Sequence, residues 1–423
     1  MANEFSEFDF FRGSELIENP YPYYEALRQR CPVTRESHHD VTMITGWDEA
    51  CAVLNDAEMW SSCVSVTGPF PGFPVPIEGD DITELIEQHR DELPFSDQLP
   101  TLDPPTHTNH RSLLMRLITP KRLKENEDAM WALADQALDD FLAPGHGEWI
   151  KGFAGPFTLL VIADLLGVPM EDRDKFVKGI REHSGGGIGG TKGSLAHSPL
   201  EFLYGLFSDY VRDRRSEPRD DVLTGLATAT YPDGWIPDVE DVARVASNVF
   251  SAGQETTVRL LGAALQTLGE RPDIQVQLRR DRSLIPNFIE ESLRHESPVK
   301  GDFRMNRRPA KVGGVDLPAG STVMIVLAAA NRDPRRFDEP ATFDPARKNA
   351  RQHISFGRGI HSCPGAPLAR AETRVAIERL LDRTTDIRIN EDVHGPANNR
   401  RYQYVPTYIL RGLTELHLEF TLA

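Results

Sequence analysis

One stretch constrains this chain more than any other: residues 353–370, HISFGRGIHSCPGAPLAR. It sets one cysteine, Cys363, in a glycine-rich turn that runs into a helical repeat. Gly357, Gly359 and Gly365 lack a Cβ, so the backbone there can turn tightly and approach a flat ligand. Pro364 suits a first helical position, where the missing N–H would have no intrahelical partner. Leu368, Ala371, Val375, Ala376 and Leu380 then recur at helical spacing. The pattern places Cys363 at a helix N-terminus, where exposed amides and the positive end of the dipole favour a thiolate. The plain alternative is a buried structural cysteine beside a glycine turn, since a free cysteine usually behaves as a small hydrophobe.

Composition narrows the class. The 423 residues carry a formal net charge of −17, which argues against nucleic acid as a partner. Size alone would admit two or three domains. The four cysteines, Cys31, Cys51, Cys63 and Cys363, show no CxxC spacing, so neither a disulfide framework nor a zinc site is indicated. The start, MANEFSEFDFF, has no basic region and no apolar core of a signal peptide. No apolar run is long enough to span a bilayer. A soluble, cytoplasmic enzyme without a membrane anchor is expected. A lone thiolate in a glycine turn suits an axial haem ligand.

The pattern Phe356-Gly357-x-Gly359-x-His361-x-Cys363-x-Gly365 resembles the haem-binding loop of the cytochrome P-450 family. The resemblance implies a mainly α fold with a smaller β-rich part. It implies one domain over residues 1–423, with β structure from about 28–60, 300–326 and 398–420. The implied cofactor is haem b (iron protoporphyrin IX), with Cys363 as axial ligand and Phe356, Gly357 and Gly365 shaping the loop.

Three further motifs follow the family's order. LDPPTHTNHR, residues 102–111, resembles its DPPxHTRxR signature at a helix start; Asn109 stands where arginine is usual. His107 and Arg111 would bind haem propionates, with Arg304 and His361 as further partners. Asp238 is expected to cap a long helix running to about Glu270. Its middle, Ala252-Gly253-Gln254-Glu255-Thr256-Thr257, resembles the oxygen-activating AGx(D/E)T motif. Small Ala252 and Gly253 would leave room over a flat ligand, and Thr256 with Glu255 would relay protons. Thr256 could also simply bond a carbonyl one turn back. Glu291 and Arg294, three apart on one helix face, form an ExxR pair; with Arg347 they would make a structural ion network steadying the cysteine loop.

Other segments read more openly. Helices are expected over 20–30, 47–54 and 125–166, and strands over 41–45, 312–326, 402–410 and 416–420. The Pro/Gly-rich stretch 64–76 excludes regular structure, and Phe70 and Phe73 are candidate pocket walls by analogy. Val249, Val299 and Val405 would add apolar lining, with Tyr404 and Thr407 near a strand tip; Asn248 would anchor a polar group or merely face solvent. GGGIGG at 185–190 formally matches a dinucleotide fingerprint but follows a helical stretch, so a loop over the pocket fits better.

The expected activity is a haem-thiolate monooxygenase that inserts one atom of O2 into a hydrophobic terpenoid, steroid, fatty-acyl or aromatic molecule. No reductase segment is evident, so electrons would come from a separate ferredoxin and ferredoxin reductase to a monomer. Lys348, Arg351, Arg358, Arg370 and Arg374 would offer a basic face, or be only solvated charge. The rivals are a peroxide-driven peroxygenase, expected to lack the acid–alcohol pair, and a non-enzymatic haem or small-molecule sensor.

Overall fold

The computed structural model describes residue 5, residues 7–173, residues 176 and 178, and residues 198–423. Its axis is the helix Val239–Glu270, 32 residues long, which at 1.5 Å per residue spans about 48 Å. Val242, Val245, Leu260, Leu261, Leu265 and Leu268 give it a buried side. Against that side pack the helices Ser198–Ser216, Gly155–Leu165 and Ala366–Arg383. Asp238 occupies the N-cap position in extended conformation, but its side chain makes no capping bond; Glu240 and Asp241 in the first turn complement the dipole instead.

The helical pattern expected across 125–166 is broken. Helix Pro120–Leu142 ends before Pro144 and Gly145, and Gly145 takes φ +75°, a turn conformation that a helix cannot continue. Strand β4 (His146–Glu148) follows, then a π-turn Ile150–Ala154 and helix Gly155–Leu165.

The strands, named in chain order, are β1 (Val33–Arg35), β2 (Thr42–Ile44), β3 (Trp60–Ser61), β4, β5 (Asp302–Asn306), β6 (Ala310–Val312), β7 (Val315–Leu317), β8 (Thr322–Ile325), β9 (Thr384–Ile389) and β10 (His417–Leu422). One sheet runs β1-β2-β8-β5-β3 and is antiparallel except for the β2/β8 pair. The hairpin β6-β7 turns through Gly313 and Gly314, both at positive φ, as a two-residue hairpin turn requires.

The C-terminal segment departs from expectation. It does not join the sheet built from 33–61 and 302–325; β10 instead pairs with β4 and β9 in a three-stranded sheet. Residues 402–410 form isolated bridges, Val299↔Leu410 and Tyr404↔Leu413, in place of a strand. Pro406 supplies no amide to a ladder there. Residues 185–190 lie outside the described residues.

The largest apolar cluster is helical and surrounds the long helix. A second gathers the N-terminal aromatics, Phe303 and Tyr408, and a third lies between the five-stranded sheet and helix Trp47–Asn55.

Candidate active site

The cysteine turn is built by backbone bonds. The Cys363 amide donates to the Phe356 carbonyl at 2.8 Å, and the Gly357 amide to that of Ile354 at 2.9 Å. The helix begins at Ala366 with Gly365 as its N-cap. Pro364 therefore lies in the entry turn, not at the first helical position, and Pro367 takes the place in the first turn that proline tolerates. The amides of Gly365 and Ala366 face the sulfur and favour its charged form. Burial pushes the Cys363 thiol above its ordinary value, while these amides and the Arg111 and Arg370 guanidiniums pull towards the thiolate. Although protein crowds the sulfur on most sides, Cys363 keeps exposed surface, whereas the core cysteine Cys63 is 1% exposed. A ligand sulfur needs that access; a packing cysteine does not.

The glycines divide their work. Gly357 and Gly359 have φ of +65° and +67°, a region L side chains rarely adopt. A Cβ on Gly359 would run into the Leu54 carbonyl. That glycine permits contact with helix Trp47–Asn55, not the approach of a ligand. A Cβ on Gly365 would stand 3.8 Å from the Cys363 sulfur.

Beside the turn lies a cluster of donors. His107 and Arg111 come from helix Thr106–Leu117, Arg304 from β5 and His361 from the turn itself. The His107 and His361 rings are 4.1 Å apart. Arg111 donates to the Ser362 carbonyl at 2.6 Å, and Arg304 pairs with Asp302 at 2.8 Å. Burial first, then charge repulsion including that of Arg111 and Arg304, drives His107 down to about 4 and His361 down to about 2. Both imidazoles are therefore neutral near pH 7. His107 is buried, and its Nε2 has no hydrogen-bond partner among the described residues. Two arginines, two imidazoles and one orphaned ring nitrogen suit a ligand with two carboxylates. Haem fits this donor set.

Sequence reading overlooked Asp103, within the same DPP motif. It is buried, accepts from the Ser61 hydroxyl and from the Ser62 amide at 2.9 Å, and pairs with Arg90 and Arg307, both at 2.7 Å. Ser62 in turn meets His361 Nε2 at 3.0 Å. An acid before two prolines was the available signal.

On the long helix, Ala252 is exposed, the residues at 251 and 253–256 beside it are half-buried, and Val249 and Thr256 flank it on the same face. The Thr256 hydroxyl donates to the Ala252 carbonyl at 2.7 Å. Gly253 points elsewhere: a Cβ there would meet Ile162 Cδ1 at 2.9 Å, so its smallness serves helix packing, not room over a flat ligand. Glu255 pairs with Arg259 at 2.5 Å, and Arg259 also donates to the Leu413 carbonyl at 3.1 Å. Asn248 is buried, not on the solvent face, and its Nδ2 has no partner among the described residues.

The other pocket candidates scatter. Phe70 packs among Phe11, His39 and Tyr408 with Arg12 over its ring, and Phe73 lies near His89. Val299 and Val405 border the N-terminal aromatic cluster. Tyr404 carries the Arg411 guanidinium at 4.0 Å, and Thr407 Oγ1 accepts from the Ile409 and Leu410 amides, so its hydroxyl serves a turn.

Behind the turn, helix Ile285–His295 supplies two ion networks. Glu291 accepts from Arg294 at 2.7 and 2.8 Å and from Arg347 Nε at 3.1 Å, bringing together the three residues expected to do so. Its neighbour Glu290, missed in the sequence, binds Arg370 and His353, and Arg370 lies 4.6 Å over the Phe356 ring. Of the five basic residues expected to form a face, Arg370 is thus engaged, Arg374 pairs with Glu127 at 2.7 Å, and Arg358 rests on Trp47. Lys348 and Arg351 are exposed, Arg351 reaching Glu290 at 4.0 Å.

A cysteine sulfur at a helix start, beside a cradle for two carboxylates, on a helix that packs against a long helix carrying an alcohol, defines a haem-thiolate oxygenase. The family model "Cytochrome P450" matches residues 212–385. The solved cytochrome P450 CYP150A6 of Mycobacterium marinum is 53% identical, with a TM-score of 0.94 over 99% of this chain and 100% of that one. Cytochrome P450 144 of Mycobacterium tuberculosis is 33% identical over 413 residues, 96% of this chain and 90% of its own. The 6-deoxyerythronolide B hydroxylase of Saccharopolyspora erythraea is 32% identical over 400 residues, 94% and 95% of the two chains. The chain belongs to the cytochrome P450 family: it has the P450 fold and is a monooxygenase whose cofactor is haem b with a thiolate on iron. No helix among the described residues is long and apolar enough to cross a membrane.

Proposed function

We propose that this P450 hydroxylates a hydrophobic small-to-medium molecule, with Cys363 as the sulfur ligand and electrons delivered by a separate ferredoxin and its reductase. The observation that carries the reading is the Cys363 sulfur, backed by the Gly365 and Ala366 amides, next to the His107–Arg111–Arg304–His361 cluster. The haem, when bound, supplies oxygen activation at its iron. Arg111 and Arg304 would hold its two carboxylates as charged donors, with neutral His107 and His361 as hydrogen-bonding partners.

Thr256 holds a hydroxyl proton on the exposed face that Ala252 leaves open. Glu255, one residue earlier and 38% exposed, links that region to Arg259 and to solvent. Together they would keep a supply of protons at that face. Val249 and Ala252 give the face an apolar character that suits a terpenoid, steroid, fatty-acyl or aromatic substrate. The relative named for 6-deoxyerythronolide B extends that range to macrolactones. Lys348 and Arg351 leave a small cationic surface for an acidic electron donor.

The test is the carbon monoxide difference spectrum of the dithionite-reduced holoenzyme, followed by titration with a macrolactone, a steroid and a monoterpene. A red-shifted thiolate-type Soret band, and a low-to-high-spin shift with at least one compound, are expected. A histidine-type band would overturn Cys363 as ligand, and a neutral-thiol band would overturn the thiolate form of it. Turnover with ferredoxin, reductase and NADH but not with hydrogen peroxide alone separates the monooxygenase from a peroxygenase.

A further inference from the structure

Trp47 opens helix Trp47–Asn55, which is more than three hundred positions before the cysteine turn in sequence yet touches it at both ends. At the helix start, the Trp47 amide donates to Asp333 Oδ2 at 2.9 Å, and its indole Nε1 donates to the Gln352 carbonyl at 3.0 Å. Gln352 immediately precedes the stretch that carries the turn. The guanidinium carbons of Arg336 and Arg358 lie 4.2 and 4.9 Å from the indole centroid. At the helix end, the Leu54 carbonyl occupies the space that a side chain on Gly359 would need. Residues 358 and 359 of the turn therefore both rest on this helix.

Arg358 is informative because of what it does not do. Among the described residues its guanidinium makes no ion pair and no side-chain hydrogen bond, in a chain with a net charge of −17. Its aromatic contact is the Trp47 ring, a cation–π arrangement. Across the turn, Phe356 is covered by Arg370, which Glu290 holds. The two sides of the turn are thus gripped by different parts of the fold, one through an acid and one through an indole.

We propose that Trp47 is a positioning residue for the sulfur ligand: through its stack with Arg358 and its bond to Gln352, it fixes where the turn presents Cys363. The inference rests on the reading of Cys363 as the ligand. A turn released on the Trp47 side would let the sulfur move or take up a proton while the rest of the fold stayed intact.

The experiment uses the holoenzymes of wild type, Trp47→Leu, Trp47→Phe, Arg358→Gln and the double variant Trp47→Leu/Arg358→Gln. Each is reduced under carbon monoxide and held in moderate urea, and the ratio of neutral-thiol to thiolate Soret bands is read alongside far-ultraviolet circular dichroism. Trp47→Leu and Arg358→Gln should each raise that ratio about three- to tenfold, the range a partly shielded cation–π contact supports. Trp47→Phe should raise it less than Trp47→Leu, and the double variant little more than either single change. If Trp47→Leu fails to fold, Arg358→Gln alone decides. An unchanged ratio in Arg358→Gln overturns the proposal, as does full additivity in the double variant. A wild type with no thiolate band would instead overturn the reading on which the proposal rests.

Discussion

Glu290 and Arg370 are joined by two parallel hydrogen bonds, Nε to Oε1 at 2.6 Å and Nη2 to Oε2 at 2.9 Å. The acid is 3% exposed on its side chain and the base 37%. That pair ties helix Ile285–His295 to the helix that follows Cys363, and its guanidinium also covers Phe356 of the turn. Glu290→Gln keeps the shape but removes the charge, leaving Arg370 and His353 short of an acceptor. A loss of about 2 kcal/mol is expected, between the values for surface and buried pairs. The urea midpoint of unfolding checks it, and a shift within error would show the pair to be decorative.

Arg294 should tolerate no substitute. It is fully buried, binds both oxygens of Glu291, and donates to the carbonyls of Asn331, Pro340 and Thr342 at 3.0, 2.8 and 3.2 Å. Five bonds in a fixed fork are beyond a lysine, whose single ammonium has three donors. Arg294→Lys should cost at least about 3 kcal/mol. The measurable consequence is a protein recovered mainly without haem, read as the ratio of Soret to protein absorbance. A lysine variant with wild-type haem content would contradict this account.

The site was legible where local chemistry decides it. Phe356, Gly357, Cys363 and Gly365 announce a turn whose backbone needs are met within ten residues. ExxR could be read because Arg347 sits in a recognisable segment, and the three residues do meet. What stayed hidden depends on contacts distant in sequence. Gly253 and Gly359 looked like spaces for a ligand, but Ile162 and the Leu54 carbonyl fill them. Asp103, Glu290 and Trp47 act through partners between about 13 and more than 300 positions away. The C-terminal strand was visible by its alternation, yet its sheet was not, because pairing with β4 depends on where Gly145 breaks the preceding helix.

Thr256→Ala removes a hydroxyl whose one bond among the described residues is to the Ala252 carbonyl in its own helix. That loss should leave stability within about 1 kcal/mol. If the hydroxyl holds a proton for the chemistry, product formed per NADH consumed should fall about tenfold or more, with hydrogen peroxide accumulating. Thr256→Ser should retain most of the coupling. Haem content and the carbon monoxide band stay as in wild type. Equal coupling in all three proteins would remove Thr256 from the proton supply.

Glu372 makes the pH dependence specific. It is fully buried on helix Ala366–Arg383, and no charged group among the described residues pairs with its carboxyl. Burial pushes its carboxyl up to about 8, and the facing Thr257 hydroxyl opposes this too weakly to offset it. From the ordinary 4.5 up to about 8, the unfolded chain has released the proton while the folded chain keeps it. The folded state binds more protons in that window, so stability must fall as pH rises, by up to about 1.4 kcal/mol per pH unit. Below the window both states are protonated and the group contributes no slope. Glu372→Gln mimics the neutral acid at every pH. Wild type and variant should therefore unfold at similar urea concentrations at pH 4.5, and the variant should gain steadily, reaching a few kcal/mol at pH 8. Unfolding curves at half-unit intervals measure the difference between the two proteins, which cancels every other titrating group. Parallel curves across the window would mean that the folded state hydrates Glu372 or pairs it with a base.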